Sequence, residues 1–129
     1  MKGFITILFS LIFINMNSQV DFIQGGGTLD DWANLSKYKS DNLEILQNPT
    51  DNLVVFMGNS ITENWSLHSP DFFKNNPFLN RGIGGQTTPQ MLIRFKPDVI
   101  NLNPQSVVIL AGINDIAGNT GPMEISNIA

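Results

Sequence analysis

"VVFMGNSITENW", Val54 to Trp65, is the stretch on which the fold turns. Its β-branched and apolar run, with "NL" before it, does not alternate with polar residues and stops at Gly58. Such a run reads as a strand covered on both faces, as in a parallel sheet. Asn59 and Ser60 follow the glycine, where the chain turns from strand to helix. In open parallel sheets that position is the carboxyl edge, the edge at which ligands bind. Ser60 can cap the helix there or act as a nucleophile, and the stretch alone leaves both readings open.

Downstream the pattern repeats. "NPFLNRGIGGQ" holds a second short strand and a glycine-rich turn. "TPQMLIRF" predicts a helix with Thr88 as cap, Pro89 at the first helical position and Met91, Leu92 and Phe95 on its apolar side. Pro97 is expected to interrupt it, with a second helical piece in "PDVINL". "QSVVILAGIND" is a third strand ending in glycine, "NTGP" a loop, and "MEISNIA" the opening of a helix. Strands alternating with helices imply βαβ units and a parallel sheet. The strand ends then carry "GNS", "RGIGGQ" and "AGIND", all at one edge.

Upstream, Lys2 precedes "GFITILFSLIFI" and polar "NMNSQ", which reads as a secretory signal peptide over residues 1–18. The apolar stretch is shorter than the ~20 residues of a spanning helix. A secreted or periplasmic location follows, with no stable membrane association after cleavage. Residues 19–52 read as a linker and a covering helix. "QGGGTLDD" is the joint, Asp30 or Asp31 the cap, and Trp32, Leu35 and Tyr38 one side of a helix through "DWANLSKYKSDN".

Composition narrows the chemistry. The chain has 129 residues and a net charge of −4, which argues against nucleic acid as partner. Without cysteine there are no disulfides, thiolate metal sites or thiol catalysis. One histidine, His68, rules out a histidine-rich metal site. No cofactor is expected. Carboxylate sites remain possible, but no D-x-D-x-D-G loop is present. A serine at a helix start gains from the helix's positive end, and the oxyanion it makes on acyl attack needs preorganised donors. Backbone N–H groups of a glycine turn and an asparagine amide can supply them. Ser60, Gly85 and Asn114 are the candidates, one from each strand end. Singly, each reads as a cap or turn residue; together they point to acyl transfer.

"MGNSIT", "NRGIGGQTT" and "LAGIND" resemble the first three blocks of the SGNH hydrolases, or GDSL-type esterases. By that resemblance Ser60 matches the nucleophile, Gly85 the oxyanion-hole glycine and Asn114 the asparagine that donates to the same oxyanion. It implies a three-layer α/β/α, flavodoxin-like fold over residues 53–129, ended after about the third strand, and hydrolysis of esters without a metal. The implied substrate is a small-molecule or carbohydrate ester of a small acyl group, often acetyl. Oligomeric state is not legible.

This sequence departs from the family pattern in three places. Asn59 replaces an aspartate, though either can bond the neighbouring backbone. Gly84 stands where serine is common, which is expected to loosen that turn. The Asp-x-x-His block that supplies the base has no counterpart in these residues, so the chain as given is expected to be inactive. His68 is read as a surface residue, because a helix starting at Ser60 carries it away from the nucleophile. A binding protein that keeps the pocket without the chemistry is the alternative. A flavodoxin-like cofactor binder, with "GNSIT" cradling a phosphate, leaves "GIND" without a role.

Overall fold

The computed structural model describes residues 27–121. The signal peptide, residues 24–26 of the glycine joint and the segment "MEISNIA" lie outside the described residues. Helix α1 spans Lys39–Gln47, strand β1 Val54–Gly58, α2 Ser60–His68, α3 Pro70–Lys74, β2 Phe78–Gly82, α4 Thr88–Asp98, β3 Ser106–Leu110 and α5 Ile113–Ile116. A 3₁₀ turn, Ile100–Leu102, joins α4 to β3.

The three strands form one parallel sheet in the order β2-β1-β3. Gly58, the last residue of β1, is in register with Gly82 of β2 and Leu110 of β3. All three strands therefore end at the same level, and the segments after them emerge side by side. This is the α/β parallel sheet that the alternating pattern predicts.

Alternation along β1 sends side chains to both faces. Val55 and Met57 point into a core with Leu53, Met91, Val99 and Leu102, covered by α4 and the 3₁₀ turn. Phe56 points the other way, into a cage of Trp65, Phe72, Phe73 and Phe78 with ring centroids 5.3–5.8 Å away. Edge-to-face and offset rings at such spacings are the favoured aromatic geometry. Helices thus pack on both faces, making three layers. β3 is different: Val107 to Leu110 are 38–57% exposed, although their composition is that of a covered strand. Among the described residues nothing pairs with its outer edge.

Three expected boundaries move. The helix expected from Trp32 begins only at Lys39. The Asp31 carboxylate instead accepts the N–H groups of Leu35 at 2.6 Å and Ser36 at 2.9 Å, and Asn34 takes a left-handed φ of 54°. Such local side-chain bonds compete with helical ones. Ala33, not Trp32, is the buried residue of this segment. In α4 the cap is Thr87 rather than Thr88. Thr87 and Gln90 form a reciprocal capping box, while the Thr88 hydroxyl is drawn to Asp115 at 2.6 Å. Pro97 does not break α4 but lies in its last turn, one residue before the helix ends, and the expected second helical piece is the 3₁₀ turn Ile100–Leu102.

Candidate active site

Ser60 is the first residue of α2, and Asn59 is its N-cap. The Asn59 carbonyl oxygen Oδ1 accepts the Ile61 N–H at 3.0 Å, the role expected of the aspartate it replaces. Its Nδ2 is fully buried and has no hydrogen-bond acceptor among the described residues. The Ser60 hydroxyl caps nothing among the described residues. Its backbone N–H belongs to the first turn, whose amides have no intrahelical partner.

The glycine turn after β2 lies against Ser60. A Cβ placed on Gly84 would come 3.7 Å from the Ser60 Cβ and 3.0 Å from Glu63 Oε2. A side chain at position 84 would thus sit in ordinary van der Waals contact with Ser60 and would require the Glu63 carboxylate to shift by a few tenths of an ångström. Gly85 has φ 75°, a left-handed conformation that glycine adopts without steric cost. The turn is not loose, as the missing serine suggested. The Gly84 N–H donates to Glu63 Oε2 at 2.6 Å, and the Gly85 carbonyl accepts from Asn119 Nδ2 at 3.0 Å. The Gly85 N–H has no partner among the described residues.

Asn114 lies in α5, just past β3. Its Nδ2 donates one hydrogen to the Gln86 carbonyl at 2.9 Å, which fixes the amide against the glycine turn. The neighbouring Asp115 is 2% exposed and accepts from Thr88 N–H and hydroxyl, tying α5 to the start of α4. Ser60 and the Gly84–Gly85 turn are thus adjacent, and Asn114 is hydrogen-bonded to Gln86 at the end of the same turn. His68 sits exposed at the far end of α2, about 12 Å along the axis from Ser60.

Beneath the edge lies a polar network absent from the sequence reading. Arg94 and Arg81 are 0% and 1% exposed. The Arg94 guanidinium donates to the Gly58 carbonyl at 3.1 Å, the Arg81 carbonyl at 2.8 Å, the Gln86 side chain, and Asp98 at 3.0 Å. It therefore joins the ends of β1 and β2 to the glycine turn. Arg81 donates to Asn42 Oδ1 at 2.7 Å, and Asn42 donates to Asp98 at 2.7 Å, which brings α1 into the same cluster. Burial pulls both arginines below the ordinary guanidinium value, with Asp98 acting to hold their charge. The Tyr38 hydroxyl donates to the Gly82 carbonyl and lies under Arg81; burial, helped by Glu63, pushes its pKa up to about 12, so it stays a neutral donor. One signal was readable: Gln90, Arg94 and Asp98 recur every fourth residue, on the side of α4 that also buries Met91.

Residues 56–128 match the GDSL-like lipase/acylhydrolase family. The chain belongs to that family. Two solved structures share its fold and much of its sequence. A candidate acylhydrolase from Bacteroides fragilis NCTC 9343 is 57% identical with a TM-score of 0.69, over 73% of this chain and 46% of that one. A GDSL-like lipase from Bacteroides thetaiotaomicron VPI-5482 is 50% identical with a TM-score of 0.71, over 74% of this chain and 47% of that one. The uncharacterized lipoprotein YqeF of Bacillus subtilis (strain 168) is 46% identical over 43 residues, which are 33% of this chain and 18% of that protein. The chain thus spans under half the length of the GDSL-type structures it matches.

Proposed function

We propose that this GDSL-family chain carries the nucleophile and the oxyanion donors of a serine esterase acting on esters of small acyl groups, acetyl among them, on a small molecule or carbohydrate. The observation that carries the proposal is the convergence on one sheet edge. Gly84 leaves only van der Waals room beside Ser60, and the Asn114 amide is seated on the Gln86 carbonyl of the same turn. Ser60 attacks the ester carbonyl; the Gly85 N–H, the second Asn114 Nδ2 hydrogen and the Ser60 N–H stabilise the resulting oxyanion. Expulsion of the alcohol leaves an acyl-Ser60 ester, which water cleaves to acid and free serine.

The proton of Ser60 must go to a base within about 2.6–3.2 Å. His68 does not reach it, so in this proposal the base comes from outside the described residues. A binding protein that keeps the edge without turnover is the second reading, favoured by that same distance. Export is supported by the charged and apolar start of the chain and by its likeness to a Bacillus lipoprotein. No helix among the described residues is long and apolar enough to cross a membrane.

The test is Asn114→Ala in the full-length protein. An amide that acts on charge present only in the transition state lowers kcat by about 10²–10³-fold and leaves KM nearly unchanged. Steady-state kinetics on an activated acetyl ester decide. A normal kcat with a raised KM would make Asn114 a substrate-binding residue, and no Ser60-dependent turnover in the parent would favour the binding protein.

A further inference from the structure

We propose that Glu63 is a positioning residue for the oxyanion turn, selecting which glycine N–H is left to face the substrate. The proposal rests on Ser60 acting as nucleophile. Glu63 lies one turn after Ser60 on α2, and its own N–H donates to the Asn59 carbonyl at 2.9 Å. Its backbone is seated on the end of β2, where a Cβ on Gly82 would come 2.1 Å from the Glu63 nitrogen. From this fixed base the carboxylate has two partners. Oε2 takes the Gly84 N–H at 2.6 Å, and Oε1 is paired with Lys37 of the segment before α1.

The consequence is a division of the turn's two amides. The Gly84 N–H is spent on Glu63, whereas the Gly85 N–H has no partner among the described residues. One carboxylate on the nucleophile's helix thereby ties the oxyanion turn to Ser60. The distance between attacking oxygen and oxyanion donor is then set by one rigid element instead of two. A misplacement of about 1 Å at such a site can cost on the order of 10²-fold in rate. Lys37 completes the tether by holding the free side of the carboxylate. The Lys37 and Glu63 side chains are 30% and 32% exposed, so this pair adds little to global stability. That allows Glu63 to be changed without unfolding the protein.

The experiment uses Glu63→Ala, Glu63→Gln and Ser60→Ala in the full-length protein, with two readouts. Amide hydrogen exchange reads the Gly84 N–H directly and needs no activity. Steady-state kinetics on an activated acetyl ester read its effect on the reaction. Glu63→Ala is expected to lower the protection of the Gly84 amide about tenfold, the low end for a charge-assisted bond at a partly exposed carboxylate. It is expected to lower kcat at least about tenfold while KM changes less than about twofold. Glu63→Gln, whose amide oxygen can still accept from Gly84, should restore most of both. Unchanged Gly84 protection in Glu63→Ala overturns the proposal, because the bond is then not made. Lost protection with unchanged kcat overturns it too, because Glu63 is then only structural. Full hydrolysis by Ser60→Ala overturns the esterase reading and the proposal together, while the exchange result still reports the Glu63–Gly84 bond on its own.

Discussion

Replacing Ser60 with alanine in the full-length protein is expected to lower ester hydrolysis by at least about 10⁴-fold while the fold survives. The chemical half follows from the reaction: without the hydroxyl no acyl intermediate forms, and the oxyanion donors act only on slow attack by water. The structural half follows from the cap. The N–H of Ile61 is satisfied by Asn59 Oδ1, not by Ser60, so alanine removes no capping bond from α2. Alanine is also compatible with helical backbone there. Circular dichroism and the thermal midpoint should match the parent. Hydrolysis that persists in the purified variant would move the nucleophile elsewhere.

Arg94→Met is expected to act in the opposite way, through stability. The Arg94 side chain is fully buried and serves four acceptors: the Gly58 and Arg81 carbonyls, Gln86 Oε1 and Asp98 Oδ2. Methionine fills much of the volume but donates to none of them. Asp98, 1% exposed, would keep only its bond from Asn42. Removing one partner of a buried ion pair costs about 3–5 kcal/mol, a large share of a domain stability of about 5–15 kcal/mol. Arg94→Lys should recover only part, because one ammonium cannot reach four acceptors held by a planar fork. Urea unfolding of the full-length protein checks this: the midpoint falls, with little change in slope. A loss under about 1 kcal/mol would mean that water or rearrangement satisfies the acceptors without Arg94.

The strands at Val54, Phe78 and Ser106 were readable in the sequence because apolar runs ended by glycine or "RG" have few other uses. That Ser60, Gly85 and Asn114 follow strand ends at one edge was readable because strands in a parallel sheet end at the same side whatever the details of packing. The start of α1 was not, because it depends on whether the Asp31 carboxylate bonds its neighbours or caps a longer helix. A shift of one residue in the α4 cap was decided by Asp115, 27 positions away from Thr88. The Arg94 and Arg81 cluster was hidden for the same reason. Its partners come from α1, β1, β2 and the glycine turn, and nothing local distinguishes a buried arginine from an exposed one. β3 shows the limit of composition: "SVVIL" reads as covered, yet every residue of it is exposed among the described residues. The tightness of the Gly84–Gly85 turn also escaped the sequence, since it comes from a Glu63 carboxylate 21 residues earlier.

The central claim is that Ser60 carries the acyl group between the two halves of the reaction. It is tested most directly by mixing the full-length protein with an activated acetyl ester, quenching in acid before steady state, and mapping the acyl group by peptide mass spectrometry. Acid stops the reaction and preserves an ester on serine. The account predicts an acetyl group on the peptide that contains Ser60, formed within the first turnover and absent from Ser60→Ala. Turnover with no acyl group on Ser60, or with the acyl group on another residue, would contradict it.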